Sequence, residues 1–287
     1  MALNIRTNMP AVTAQKNLAE TSSRLQTSYE RLSSGLRINR AKDDAAGLSI
    51  AASLKADSRI ATVGIRNAND GISIVAITDG AISQITNVLS RLAELAQESS
   101  NGVYANGQRS ALALEFNALM SEVERIALTT NFNGLNLLSG GDNVVFQVGF
   151  DGSSLSQVTY SGVQATLGAL GLAQSGSSIP MYSVLASTEV ESQSAARAAL
   201  DAIRAAIVTV TRNRGTLGAA ESRLSVTIER LQVARENFQA AESQIMDADV
   251  AAEAAELTRL NILQQAGTAI LAQANQQPQL ALQLLRG

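Results

Sequence analysis

Cysteine, histidine and tryptophan are all missing from this 287-residue chain, and proline occurs only three times. Without histidine or cysteine there is no Ser-His-Asp or Cys-His nucleophile, no zinc site of the usual kind and no disulfide. A cysteine-free chain is compatible with either redox compartment. Carboxylate-only hydrolysis and Mg²⁺ chemistry stay formally open, but no glycine motif that cradles phosphate accompanies them. The expectation is a protein that is not an enzyme and uses no cofactor and no metal. Aromatics make up 3% of the residues against 46% apolar overall, so the apolar mass is Ala, Leu, Ile and Val. That composition suits long helices packed along their length. A net charge of −3 lacks the basic excess that phosphate binding requires, which argues against nucleic acid.

Two targeting signals are also lacking. The opening "MALNIRTNMPAVTAQKNLAE" has neither the apolar core nor the cleavage site of a secretory signal. The uncharged run from Gly152 to Thr188 is long enough for a bilayer but full of Ser, Gly and Gln, and the final run from Asn261 carries seven glutamines. Neither reads as a membrane span, so no membrane insertion is expected.

What is present is periodicity. Leu18, Ser22, Leu25, Tyr29, Leu32 and Leu36 follow the spacing of a helix seeking a partner helix. "SSGLRINRAKDDAAG", with Gly35 and Gly47 around a cluster of charges, predicts a bend joining two helical blocks. In the second block Val75, Ile82, Ile85, Leu89 and Leu92 share a stripe. After two Asn-Gly breaks, Leu112, Phe116, Leu119, Val123 and Ile126 predict a helix folded back antiparallel. From Thr129 the chain turns irregular, with strand-like runs either side of Asp151-Gly152 that predict a hairpin. Helical periodicity resumes at Thr188, spaced with Glu191 as a capping box. There Leu224, Leu231, Phe238, Ile245 and Ala252 recur every seventh residue, each followed three later by a small residue, Thr227 to Ala255.

These readings predict a mainly α fold: a long antiparallel helical hairpin or coiled-coil rod with a small β-hairpin region in mid-chain. The segments expected are 1–43 and 246–287 as terminal helices, 44–138 and 188–245 as the helices adjoining them, and 139–187 as hairpin and loops. The terminal charges complement one another: residues 1–43 hold seven Lys/Arg and three Asp/Glu, and residues 246–287 hold two and four. Exposed charges contribute little individually.

The final stretch, "NILQQAGTAILAQANQQPQLALQLLRG", has no charged side chain from Asn261 to Leu285. On a helix, Ile262, Leu263, Ala266, Ile270, Leu271 and Ala274 would make one apolar face flanked by glutamine. Such a helix is marginal alone and needs a surface to bury against. A two-helix pair cannot cover two wide stripes by itself, and uncharged Gln flanks are odd for a solvated face. Assembly with further protein is therefore favoured over a monomeric core. A membrane-active helix would carry a basic face with aromatic anchors, and this one carries neither.

"ERLSSGLRINRAKDDAAGLSIA" (30–51), "RNANDGIS" (66–73), "NFNGLNLL" (131–138), "RGTLGAAESRL" (214–224) and "NILQQAGTAILAQANQQPQLALQLL" (261–285) resemble the terminal signatures of bacterial flagellin. The resemblance covers about the first 140 residues and the last hundred. It implies a filament subunit that polymerises with copies of itself into the extracellular flagellum and transmits motor torque for swimming. It further implies secretion through a type III-type apparatus without a cleaved signal. The partners implied are an export chaperone, a filament cap and hook-junction proteins. The alternative within the same class is a hook–filament junction protein. With about fifty residues between Leu138 and the returning helix there is no room for an outer domain, so the chain resembles a minimal flagellin of core (D0) and rod (D1) parts.

Three groups of candidate residues follow. Leu18, Leu25, Leu32, Leu36, Ile262, Leu263, Ile270, Leu271, Leu284 and Leu285 are expected to form the self-assembly core. Arg37, Asn39, Lys42, Asp43, Asp44, Asp247 and Asp249 are expected at the junction of core and rod. The carboxylates Asp43 and Asp44 read as helix N-terminal charge and linker hydrogen bonding rather than as a paired acid site. "GFDGSS" reads as a hairpin turn, since it lacks the ligand count of a calcium loop. The resemblance also implies that Arg91, Leu95 and Glu115 lie on a surface read by a vertebrate Toll-like innate receptor.

Overall fold

A computed structural model describes residues 7–140, 143–173, 190 and 192–284, with side chains as far as 276. The chain is mainly α. Helix α1 spans Met9–Ser34, α2 Ala45–Ser99 and α3 Asn106–Thr129. Four short strands follow, β1 Asn131–Phe132, β2 Leu135–Asn136, β3 Val144–Gln147 and β4 Gln157–Tyr160, then α4 Gln193–Met246 and α5 Val250–Leu284. By packing the chain divides into two compact units, one of residues 1–58 with 236–287 and one of 59–235, the divisions falling inside α2 and α4. The Thr188–Glu191 capping box lies outside the described residues.

The unit of residues 59–235 has the larger core. Val75, Ile82, Ile85, Leu89 and Leu92, one stripe of α2, are 1% exposed or less, as their spacing predicts. α2 is apolar enough for a bilayer over one stretch, but that stripe faces protein. On α3 the buried face is Arg109, Ala113, Phe116, Met120, Val123 and Ala127, while Leu112, Leu119 and Ile126 are only half-buried at its edge. The helical face is rotated from the predicted one because Met120 and the small Ala113 and Ala127 fit the seam better than the leucines beside them. Arg91 pairs with Glu115 while Arg109 Nε donates to Ser99 O, so α3 runs back antiparallel along α2. α4 also runs antiparallel to α2: Arg214 binds Asp79 through two hydrogen bonds, and Gln193 Nε2 donates to Ser100 O.

The β elements explain two of the motifs. Asn133 and Gly134 have φ of 49° and 82°, so "NFNGLN" closes as a hairpin whose two central residues are left-handed, with Phe132 paired to Leu135. β3 and β4 pair antiparallel, Val144 with Tyr160 through Gln147 with Gln157, on either side of Asp151-Gly152 as predicted. Asp151 accepts from Ser153 N and Oγ in that turn. "RNANDGIS" lies on α2 where β3 crosses it. Asn67 Nδ2 donates to Gln147 O at 2.8 Å. A Cβ on Gly71 would stand 3.0 Å from Leu224 Cδ1 and 3.3 Å from Phe146. At Gly64 a Cβ would meet Val148 O at 2.8 Å. Two helical glycines thus let a strand lie against α2, which costs helix propensity but gains close packing.

Leu92→Ala and Leu224→Ala, both at fully buried positions, are each expected to lower unfolding free energy by about 2–5 kcal/mol, read as a lower denaturant midpoint. Leu155→Ala, at a side chain 94% exposed, should leave the midpoint in place.

Candidate self-assembly surfaces and helix junction

In the unit of residues 1–58 and 236–287, α1 and α5 lie antiparallel. Asn8 holds the two open ends: its Oδ1 accepts from Ala11 N to start α1, and its Nδ2 donates to Ala274 O at 2.8 Å. The inward residues of α1 alternate steps of three and four: Ala11, Ala14, Leu18, Thr21, Leu25, Ser28 and Leu32. Those of α5 do the same: Glu253, Leu257, Leu260, Gln264, Gly267, Leu271 and Ala274. This is heptad packing, and Gly267 lets Leu18 approach so closely that a Cβ would sit 3.3 Å from its Cδ1.

The seam departs from the predicted stripes in three ways. Leu18, Leu25 and Leu32 turn inward, but Thr21 and Ser28 are their seam neighbours in place of Ser22 and Tyr29, and Tyr29 is 50% exposed. Thr21 and Ser28, three residues after Leu18 and Leu25, are polar, so apolar spacing did not single them out. On α5 the predicted single apolar face divides. Leu271 and Ala274 turn towards α1, whereas Ile262, Leu263 and Ile270 are 61%, 44% and 60% exposed, with Ala266 also exposed. One partner helix covers only a narrow stripe, and the rest of a wide apolar face stays open. Finally, the heptad of α4 does not run on into α5: Ala252 and Ala255 are exposed, because the helix breaks at 247–249 and restarts in another phase. The side chain of Leu284, and Leu285, lie outside the described residues.

At that break the two chain passes are stitched together. Leu36, half-buried, pairs with Asp247 as an isolated antiparallel bridge. Gly35 closes α1 at φ 72°, and its carbonyl accepts from Ala248 N at 2.9 Å while Arg37 N donates to Met246 O at 2.6 Å. The Arg37 guanidinium adds a fork on Ile245 O, Nη2 at 2.8 Å and Nε at 3.3 Å. Backbone groups that two interrupted helices would leave unpaired thus satisfy one another across the break.

The acidic residues complete the junction. Asp44 Oδ1 accepts from Gly47 N at 2.8 Å and so caps α2. A Cβ at Gly47 would fall 2.4 Å from Asp44 Oδ2 and 2.9 Å from Ile38 Cδ1, so the cap needs glycine there. Asp249 caps α5 in the same way through Ala251 N and Ala252 N. Asp247 Oδ2 takes the Ser243 hydroxyl. Asp43 Oδ2 accepts from Arg40 N at 3.0 Å and Asn39 N at 3.3 Å, while Asn39 Nδ2 donates to Glu30 O and Ser34 Oγ. Lys42 is exposed. Arg40 pairs with Glu30 at 2.6 Å, and Arg31 reaches Glu253 at 3.9 Å. Beside this loop an open groove of about 730 Å³ runs along α1 past Leu25, Tyr29, Glu30 and Arg40. Among the described residues no three carboxylates gather as a metal site.

In the unit of residues 59–235, Arg91 is exposed and donates to Glu115 Oε1 at 2.8 Å and Glu94 Oε2 at 3.0 Å. The Glu115 hydrogen bond, then that to Glu94, holds its pKa above the usual arginine value. Leu95 departs from expectation: it is fully buried in the core and presents nothing to a partner. It lies one turn from Arg91, but on the seam side of α2.

Hydrogen bonds from Arg40 N and Asn39 N, with the Lys42 and Arg31 charges, outweigh desolvation and hold the Asp43 carboxyl below its ordinary 3.8. A depressed folded pKa gives a contribution present above the ordinary value and lost as pH falls through the folded one. Titration of the Asp43 carboxyl carbon by NMR should give a midpoint below 3.8; a midpoint at or above it would rule out this loop geometry in solution.

Residues 5–143 match the family model for the bacterial flagellin N-terminal helical region, and residues 200–285 the model for its C-terminal helical region. The chain is 42% identical over 283 residues to a flagellin of Halalkalibacterium halodurans, covering 98% of this chain and 99% of that one. It is 38% identical to a flagellar filament 33 kDa core protein of Treponema phagedenis, again over 98% and 99%. A crystal structure of Bacillus cereus flagellin aligns with 58% of this chain and 88% of its own at TM-score 0.48 and 23% identity.

Proposed function

Because the chain belongs to the bacterial flagellin family, structural subunits of the extracellular flagellar filament that are not enzymes, we propose that its α1–α5 pair is the surface through which it polymerises. The single observation that carries this reading is the open face of α5. Ile262, Leu263 and Ile270 stand exposed on a stretch with no charged side chain, while α1 occupies the other face. Covering each such side chain contributes about 1.5–3 kcal/mol, and flanking glutamines can be covered without desolvating an ion. Copies of the same chain supply the cover, and the terminal helices reach full order only among neighbours.

The stitched break at 35–44 and 245–249 then serves as the junction between terminal core and rod. Its capping aspartates, the bridge at Leu36 and the Arg37 fork hold the two passes in register as load is passed along them. Secretion, the export chaperone and apparatus, the filament cap and the hook-junction proteins belong to this reading as partners. The relatives matched along their length are flagellins and filament core proteins, which favours the filament subunit over a hook–filament junction protein.

Removing residues 261–287, or substituting Ile262→Asp with Ile270→Asp, is expected to leave a helical monomer that does not extend filament seeds, scored by electron microscopy. Filaments of normal length from either variant would sink the assembly surface assigned here.

A second surface, at Arg91 and Glu115 with Glu94, is proposed for recognition by an innate receptor, on the strength of its exposed, mutually ordered charges. Leu95 is left out of it. Arg91→Ala should weaken signalling at least several-fold in receptor reporter cells, and an unchanged dose–response would retire the idea.

A further inference from the structure

Three Asn-Gly pairs occur in the chain, at 101–102, 106–107 and 133–134. This dipeptide is where an asparagine side chain is most open to attack by the following backbone nitrogen, since glycine has no Cβ to obstruct the approach. The structure treats the three differently. Asn133 and Gly134 are the left-handed centre of the β1–β2 hairpin, held by the pairing of Asn131 with Asn136 and by Leu137 N on Thr130 O. Asn106 and Gly107 lie in the first turn of α3, where Asn106 O already accepts from Ser110 Oγ. Ring closure at either place requires a hairpin or a helix end to open first.

Asn101 and Gly102 sit in the exposed turn after α2. Asn101 Oδ1 accepts from Val103 N at 3.3 Å, which folds the side-chain amide over the Gly102 peptide. The carbonyl of Asn101, the oxygen of the Asn101–Gly102 peptide itself, accepts from Arg109 Nη2 at 2.9 Å and more weakly from Tyr104 N. Arg109 is 7% exposed and aimed by its Nε on Ser99 O at 2.9 Å. When the Gly102 N–H loses its proton, the charge spreads onto that same carbonyl oxygen. A buried guanidinium already seated there stabilises the amidate as an oxyanion is stabilised in a prearranged site.

We propose that Asn101-Gly102 is a self-modifying site, activated by Arg109. The proton of Gly102 N–H goes to solvent, and the nitrogen's electron pair forms a bond to Asn101 Cγ. The Cγ–Nδ2 bond then breaks and ammonia leaves with a proton from water. The product is a five-membered succinimide. Water opens it at the Cγ–N bond to give aspartate or at the backbone C–N bond to give isoaspartate, and no oxidant or enzyme is needed. Each event replaces the neutral Asn101 carboxamide with one free carboxylate, on the side chain in aspartate and on the α-carbon in isoaspartate, irreversibly, so that older subunits differ in charge from new ones.

The test follows the intact soluble chain at neutral pH and fixed temperature, with peptide mass spectrometry scoring amide-to-acid conversion at Asn101, Asn106 and Asn133, and isoaspartate labelling identifying the ring-opened product. A parallel sample is unfolded in urea. Conversion at Asn101 is expected to outpace the other two in the folded chain and to run faster folded than unfolded. Arg109→Lys should slow it about tenfold, the size of one charge-assisted hydrogen bond. Equal or slower conversion in the folded chain than in urea overturns the proposal without any variant. An Arg109→Lys chain that stays folded, with Asn106 and Asn133 at their former rates, and converts Asn101 at the original rate overturns the part assigned to Arg109.

Discussion

A helix with a wide apolar face and a single partner helix cannot be completed by that partner. In the α1–α5 pair, heptad contact consumes Leu257, Leu260, Leu271 and Ala274 on α5 and three leucines on α1. The inward column between those leucines is polar, Thr21 and a buried Ser28, so the seam gains little apolar burial for its length. What remains open on α5 includes Ile262, Leu263 and Ile270, large aliphatic side chains on a stretch without charge. A pair bound this thinly, with its largest aliphatic side chains still uncovered, would gain stability from any protein laid against that face. The feature that leaves the lone pair incomplete is the one the proposed assembly contact uses.

The junction answers a different demand. Both passes of the chain stop being helical at one level, and each stop leaves carbonyls and N–H groups without partners. The antiparallel bridge between Leu36 and Asp247, the Gly35 carbonyl on Ala248 N and the Arg37 fork on Ile245 O pair those groups across the gap. Asp44 and Asp249 start the next helices. These acidic residues serve backbone satisfaction, for which short acceptors at helix N-termini suffice.

The unit of residues 59–235 is closed where the terminal pair is open. There α2 finds partners on several sides, α3 and α4 antiparallel to it and β3 across Gly64 and Gly71. Its inward stripe is accordingly fully buried. Its core stripe is buried while Arg91 and Glu115 stay exposed on the outside, paired with each other.

Much of this was legible in the residues because it rests on local chemistry. The α class follows from an aliphatic, aromatic-poor composition, and the stripe Val75 to Leu92 from its period. The hairpin at Asp151-Gly152 follows from turn residues between strand-forming runs, and the capping aspartates from their place before helices. The tertiary structure alone decided which flank of each helix turned inward. Thr21 and Ser28 displaced Ser22 and Tyr29, Met120 displaced Leu119, Leu95 went into the core, and α5 split its apolar face into a paired and an open part. Hydropathy ranks side chains one at a time. The inward face is chosen by how two surfaces fit together, by a glycine such as Gly267 that admits a leucine, and by a helix break that resets the phase. Those are properties of pairs of segments far apart in the chain, and no single stretch of sequence contains them.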